Sequence, residues 1–217
     1  MKHKRGLILF AKSPSPGKVK TRLEPVLDTE TILALYKQLL ARQISLVNRC
    51  DLAQKFFWVD GNPTMEMFQS FEGEILVQLG GGIGERMGAA LKSSLQHCDS
   101  VILIGCDSPG LDTTMLEEAF QVLEAGNNAV FVPAMDGGYV LVGLNLVADQ
   151  LFRDVTWGSG QVMEQTREKM IALEMSWKEL EPVRDIDEPG DLEHLLHYGD
   201  EFSELLEGVD FTSISEC

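Results

Sequence analysis

Three things are scarce in this chain: cysteine, long apolar runs, and positive charge beyond the first two dozen residues. The four cysteines, Cys50, Cys98, Cys106 and Cys217, are widely spaced and form no Cys-x-x-Cys pair. That spacing argues against a zinc site or a disulfide framework and fits reduced thiols, with Cys106 read as a core residue of a strand. Near the N-terminus the longest apolar run is Gly6 to Ala11, too short for a membrane span or a signal-peptide core, so the expectation is a cytoplasmic protein with no membrane partner. Lys and Arg number 18 against 34 Asp and Glu, a formal net charge of -16. Such a surface repels polyanions and excludes a general nucleic-acid binder. No internal repeat or low-complexity tract is present.

Against that background the N-terminus stands out. Seven of the 18 basic residues fall within the first 22 positions, ahead of the first acidic residue, Glu24. Lys2, Lys4 and Arg5 read as a solvated terminus. Lys12, Lys18, Lys20 and Arg22 follow an apolar strand and form a local cationic loop, suited to one small polyphosphate. With 217 residues and 44% hydrophobic content, the chain fits a single domain over residues 1–217 that ends in an acidic, tail-like segment from about 200 to 217.

The periodicity alternates between strand and helix. Leu7 to Phe10 read as a buried strand, and Ile32, Leu35, Tyr36, Leu39, Leu40, Ile44 and Val47 as one face of a helix capped by Asp28 or Thr29. Further strands are predicted at Lys55–Val59, Ile75–Gln78, Val101–Ile104, Ala129–Val132 and Tyr139–Leu144, with helices carrying Met87, Leu91 and Leu95 and covering about 113–123. This order implies a three-layer α/β/α sandwich around a mostly parallel twisted sheet. Ligands then bind beyond the carboxyl ends of the strands, where residues 11–22, 80–84 and 105–110 lie.

Standard nucleotide motifs do not match. Gly17-Lys18 resembles the end of a Walker loop, but Lys12 stands in place of the first Gly and Val19 in place of the hydroxyl residue. In the stretch Gly80–Gly84, a dinucleotide fingerprint begun at Gly82 and Gly84 meets Met87 where the third Gly belongs. What remains is a strand-to-helix loop whose backbone N–H groups can approach a base or phosphate. His194 and His197 have a zinc-compatible spacing but no third ligand nearby. Met65, Met67, Met163 and Met170 read as core gap-fillers.

An ordered set of motifs is more specific. It comprises Phe10-Ala11-Lys12-Ser13-Pro14 with Gly17-Lys18-Val19-Lys20-Thr21-Arg22-Leu23, Gln78-x-x-Gly81 with Gly84-Glu85-Arg86-Met87, and Gly105-x-Asp107-Ser108-Pro109. It continues with Pro133-x-x-Asp136-Gly137-Gly138-Tyr139, Trp157 with Val162-x-Glu164-Gln165-Thr166, and Asp185-Ile186-Asp187-x-Pro189-x-Asp191-Leu192. Together these resemble the nucleotide-diphospho-sugar transferase superfamily of GT-A-like fold, nearest the glycosyltransferase-like family related to 2-phospholactate guanylyltransferase and the molybdenum cofactor nucleotidyltransferases. After Trp157, where relatives often carry Ser-Thr, this chain has Gly158-Ser159.

The resemblance implies a Mg²⁺-dependent nucleotidyltransferase that moves NMP from an NTP to a small phosphorylated or acidic acceptor and releases pyrophosphate. The alternatives are a glycosyltransferase using a nucleotide-sugar and a nucleotide-binding module without turnover. It places the nucleotide on Ala11, Lys12, Ser13, Gly17, Lys20, Thr21, Gly81, Gly84, Arg86 and Met87. Lys18, Arg22 and Asp107 are the catalytic candidates, because transfer from a polyphosphate accumulates charge that cations stabilise. Asp107 with Asp185 or Asp187 would hold the metal, Mg²⁺ or alternatively Mn²⁺, and Pro189 begins a helix for which Asp185 or Asp187 is a cap candidate. Asp136, Gly137, Gly138, Tyr139 and Trp157 fall on the acceptor side, with Asp136 as a ligand or base. A homodimer is one option for the assembly.

Overall fold

In the computed structural model, residues 5–51, 53–209 and 211 are described. Lys2, Lys4, Cys217 and the end of the acidic segment lie outside the described residues.

Strands β1 (Arg5–Lys12), β2 (Ala53–Asp60), β3 (Glu74–Val77), β4 (Ser100–Ile104), β5 (Ala129–Pro133), β6 (Tyr139–Leu144) and β7 (Trp177–Glu179) form one sheet in the order β3-β2-β1-β4-β6-β5-β7. Strand β1 lies parallel to both β2 and β4, and β2 parallel to β3. Strand β6 runs antiparallel to β4 and β5. The sheet is therefore mostly parallel with one reversed strand, which brings Tyr139, at the start of β6, to the same edge as the carboxyl end of β4.

Helices cover both faces because the central strands are apolar on both sides, as buried parallel strands require. On one face α1 (Thr29–Asn48) and α3 (Thr113–Glu124) bury Tyr36, Leu40 and Phe120 against Leu7, Leu9, Phe57 and Ile104. On the other, α2 (Ile83–Ser94) and α4 (Val162–Ala172) pack Met87, Leu91, Met163 and Met170 against Ile8, Phe56, Leu103 and Val142. Met65 and Met67 also pack against the core. Asp28 caps α1 by accepting from the N–H groups of Glu30 and Thr31 at 2.9 Å, so two of the first turn's free donors are satisfied.

Helix α4 and strand β7 were not anticipated from periodicity. Of the 11 residues of α4 only Val162, Met163, Thr166 and Met170 are buried, which leaves too narrow a stripe to stand out. Strand β7 has three residues and owes its existence to pairing with β5.

A third cluster lies outside the sheet. Leu23, Ile32, Leu35 and Leu39 meet Ile186, Leu192, Leu195 and Phe202. Two short helices, α5 (Leu192–Leu195) and α6 (Asp200–Leu205), supply most of the second group. The beginning of the acidic segment is thus a docked helix whose Phe202 is fully buried. Phe202→Ala is expected to cost about 3 kcal/mol, lowering the midpoint of a circular-dichroism melt by roughly 6–12 °C. A change below about 2 °C would show that the helix contributes no docking energy.

Candidate active site

A cleft of about 320 Å³ opens at the carboxyl ends of the parallel strands, from Asp60 and Gln78 past Ala11 and Lys12 to Asp107 and Ser108. Asp185, Asp187, Tyr139 and Lys20 complete its walls. Each wall residue has a structural reason for its position.

Lys20 sits in left-handed backbone, φ 50° and ψ 37°, an uncommon conformation for a residue with a Cβ. Val19 and Leu23 on either side are buried and hold that turn in place. The consequence is that the Lys20 side chain points inward and is only 2% exposed. Its Nζ lies 2.9 Å from Asp107 Oδ1 and 3.4 Å from Asp187 Oδ1. Burial works against the ammonium, but the two carboxylates outweigh it and hold its pKa above the ordinary lysine value. Arg22 Nη1 adds a second cation 2.8 Å from Asp187 Oδ2.

The acidic residues come from distant parts of the chain. Asp107 follows β4, and the N–H of Ile186 donates to its backbone carbonyl at 2.9 Å. Ile186 is fully buried in the third cluster with Leu23, so one apolar cluster sets both the basic loop and the segment 185–187 beside Asp107. That segment is not a strand, yet Asp185 and Asp187 both line the cleft. Neither acts as the expected cap. The capping box is made by Glu188 and Asp191, with Asp191 Oδ2 accepting from the N–H groups of Asp187 and Glu188. Asp185 is pushed up to about 6 by burial, with the nearby charge of Asp136 acting in the same direction. Among the described residues no group of three or more His, Cys, Asp and Glu is placed to hold a metal by itself. Asp107, Asp185 and Asp187 are accordingly not a three-ligand cage, and His194 and His197 have no third such ligand placed with them among the described residues.

At the β2–β3 side, Gln78 spans two strands, donating through Nε2 to the carbonyls of Ala11 at 3.0 Å and Trp58 at 2.9 Å. Arg86 places Nη1 2.6 Å from Asp60 Oδ2 and 3.3 Å from Gln78 Oε1. Arg86 Nε and the hydroxyl of Tyr139 are buried without a hydrogen-bond partner among the described residues. Tyr36 reaches from α1 to exchange hydrogen bonds with the N–H and carbonyl of Lys12, at 3.0 and 2.9 Å. The Cys106 thiol, its pKa raised by burial, has the Tyr36 hydroxyl and Asp107 as alternative acceptors for its single proton. Tyr36, Asp60 and the buried Gln43, which donates to the Ser108 carbonyl at 2.7 Å, escaped sequence reasoning. Tyr36 looks like any core position of an amphipathic helix, and Asp60 like a turn residue.

Not every sequence candidate lies in this cleft. Lys18, exposed, lines an adjoining depression with Lys12, Ser13, Ser15 and Asn62, and Lys12 Nζ donates to the Lys18 carbonyl. Ser13 accepts from the N–H of Asn62. Gly17, at φ 67°, is an open turn, and Thr21 belongs to the short turn Thr21–Leu23. The Gly81 N–H donates to Glu85. Gly84 serves packing, because a Cβ there would overlap Trp157 and the Phe152 carbonyl. Gly137, at φ 90°, lies against the backbone of Gly160, and Asp136 accepts from the N–H of Gly138. Trp157 packs edge-on behind Tyr139 with ring centroids 6.3 Å apart and faces a second groove beside α2. Met87 lines the cleft floor.

A family described as "Uncharacterized protein conserved in bacteria (DUF2064)" has a model that matches residues 43–159. No curated protein matches the sequence. Among solved structures, a protein of Desulfovibrio desulfuricans G20 provisionally described as a nucleotide-diphospho-sugar transferase is 27% identical. It aligns over 98% of this chain and 94% of its own at a TM-score of 0.81. CMP:2-keto-3-deoxy-manno-octonic acid synthetase in complex with CTP is 11% identical, covering 88% and 96% of the two chains at a TM-score of 0.55. Glucosyl-3-phosphoglycerate synthase from Mycobacterium tuberculosis, with Mn²⁺, UDP and glucosyl-3-phosphoglycerate, is 10% identical, covering 93% and 78% at 0.55. The fold is that of the nucleotide-diphospho-sugar transferases, as the motifs imply, and these scaffolds belong to transferase enzymes.

The raised pKa of Asp185 has a stability consequence. Folding favours its protonated form, so its contribution is most favourable below pH ~4, the ordinary carboxylate range, and is lost as pH rises through about 6. Asp185→Asn is expected to stabilise the metal-free protein at pH 7.5 by about 1 kcal/mol, allowing for solvent screening of this partly exposed group. A melt should show a gain of roughly 2–4 °C at pH 7.5 that vanishes near pH ~4. A gain independent of pH would exclude ionisation of Asp185 as the cause.

Proposed function

The chain belongs to the DUF2064 family, and from its fold and the cleft we propose a metal-dependent nucleotidyltransferase that moves NMP from an NTP to a small phosphorylated or acidic acceptor. The observation that carries this reading is the convergence, at one end of a single cleft, of Lys20 and Arg22 with Asp107 and Asp187. At the other end Asp60, Gln78 and Arg86 present both donors and acceptors, the kind of edge a nucleobase can be read by.

A divalent metal fits the donor set. Mg²⁺ commonly takes one or two carboxylates and completes its shell with water and substrate phosphates. Asp107 and Asp187 offer two carboxylates that already share one cation, the Lys20 ammonium, with Asp185 in the same wall. Such a metal, if held by Asp107 and Asp187, would supply positive charge to neutralise the phosphate oxygens. Mg²⁺ is the first choice, with Mn²⁺ as the alternative that the Mn²⁺ complex of the mycobacterial synthase makes reasonable.

In the proposed reaction an acceptor oxygen attacks the α-phosphorus. The bond from that phosphorus to the bridging oxygen of the β-phosphate breaks, and pyrophosphate leaves with the electron pair. Lys20 and Arg22 stabilise the charge that builds on the phosphates, with Lys12 and Lys18 extending the cationic rim where the leaving group departs. Ala11 and Met87 line the nucleotide end, while Ser13, Gly17, Thr21, Gly81 and Gly84 contribute through the loops that border it. The acceptor lies towards Asp136, Gly137, Gly138 and Tyr139, with Trp157 supporting Tyr139 from behind. Asp136 is the acceptor-side ligand or base. We take the enzyme to act as one domain in the cytoplasm.

A thermal-shift panel of the four NTPs and common nucleotide-sugars, each with and without Mg²⁺, tests the reading. A ligand at ~100 times its Kd stabilises by roughly 2.7 kcal/mol, a shift of about 5–10 °C here. One NTP is expected to shift wild type with Mg²⁺ and to lose that shift in Asp107→Asn; a response confined to nucleotide-sugars would replace nucleotidyl with glycosyl transfer. Arg22→Ala should weaken triphosphate binding about tenfold while leaving the nucleoside within about twofold. Equal losses for both would remove Arg22 from the phosphate site.

A further inference from the structure

Lys20 presents a problem that the proposed reaction leaves open. Its ammonium stands where a divalent cation shared by Asp107 and Asp187 would be stabilised. Two cations cannot share that position, because at such separations like charges repel strongly even in a partly solvated setting. Resting on the nucleotidyltransferase reading, we propose that Lys20 is a resident cation that holds Asp107 and Asp187 as a preformed pair and keeps bare divalent metal out. Metal then enters together with a polyphosphate, which draws the ammonium to its own oxygens.

The surroundings support an exchange of partners rather than a permanent lock. Asp107 and Asp187 are 42% and 37% exposed on their side chains, whereas Lys20 is 2% exposed. The carboxylates therefore meet solvent on the side where a ligand arrives, while Lys20 approaches them from the protein side. Its backbone is held by the buried Val19 and Leu23 and by the hydrogen bond from the Leu23 N–H to the Lys20 carbonyl at 2.9 Å. Movement is left to the four-carbon stem, whose terminal ammonium can turn among several acceptors. Lys20 also lines the cleft, so phosphate oxygens arriving there come within its reach. Arg22, half-exposed and on the outer oxygen of Asp187, can release in the same way. The arrangement makes metal and polyphosphate binding mutually dependent, since each relieves the charge conflict that the other creates. It also spares the site from loading with metal when no nucleotide is present.

The test uses Mn²⁺ alone as the probe, followed by electron paramagnetic resonance of the free ion and by calorimetry. Lys20→Met is expected to bind Mn²⁺ without nucleotide at least about tenfold more tightly than wild type, and adding Asp107→Asn to that variant should abolish the gain. Lys20→Gln, neutral and polar, is expected to behave as Lys20→Met does. Because the exposed carboxylates stay hydrated when the ammonium is removed, both variants should retain a cooperative melt. Adding inorganic tripolyphosphate should raise the amount of protein-bound Mn²⁺ in wild type and narrow its difference from the variants. If wild type binds Mn²⁺ alone as tightly as the variants, and Asp107→Asn abolishes that binding, the exclusion role is overturned while the metal site stands. If none of the proteins binds Mn²⁺ with or without tripolyphosphate, the metal reading falls and the proposal with it.

Discussion

The ammonium of Lys20, shared by Asp107 and Asp187, is the constraint on which the cleft depends. The overall charge is -16, and acidic side chains that converge on a strand edge repel one another unless a cation lies among them. Lys20 supplies that cation from a buried position, and a left-handed backbone residue is the means of getting it there. Strain at one residue is thus exchanged for charge compensation at two carboxylates. The same geometry that quiets the resting site leaves it ready for a ligand that brings its own charges.

The apolar part of the structure serves this electrostatic centre. The sheet, covered on both faces, fixes the ends of β1 and β4 next to each other. The third cluster does something the sheet cannot. By burying Leu23 and Ile186 on the same side of α1, it clamps the basic loop and the acidic segment 185–187 over those strand ends, across more than 160 residues of sequence. Polar links reinforce the clamp. Arg42 on α1 donates to the carbonyls of Pro109 and Tyr198, and Gln43 to that of Ser108. Stability of the C-terminal helices and geometry of the candidate site are therefore coupled.

The reversed strand β6 gives the cleft its second wall. Antiparallel pairing with β4 brings Tyr139 and the Asp136–Gly138 turn to the edge where Asp107 emerges. The phenol of Tyr139, braced edge-on by Phe131 and Trp157, closes the cleft on the side assigned to the acceptor. Gly137 is accounted for by its positive φ and close packing on Gly160, and Gly138 lies against the Asp136 carboxylate, so their spacing in the sequence reflects the chain's own contacts as well as any ligand.

Much of the scaffold was legible in advance. The strand at Tyr139–Leu144 is found as predicted, the other expected strands and helices shift by at most a few residues at their ends, and the ordered motifs name the superfamily whose fold appears. These follow from local rules: apolar period, caps and turn residues act over a handful of positions and leave their mark in the sequence. Helix α4 and strand β7 were missed because their stability comes from partners far away in the chain. The sequence by itself determined the class of the sheet, the cationic loop after β1, and the candidate carboxylates at 107, 185 and 187. Only the tertiary structure decided that Lys20, among four similar cations, is the buried one, that Asp187 shares it with Asp107, and that Glu188 and Asp191 form the cap. Those outcomes depend on which side chains meet after the third cluster closes, and electrostatic contacts of a few ångströms between distant segments have no local period by which to be read.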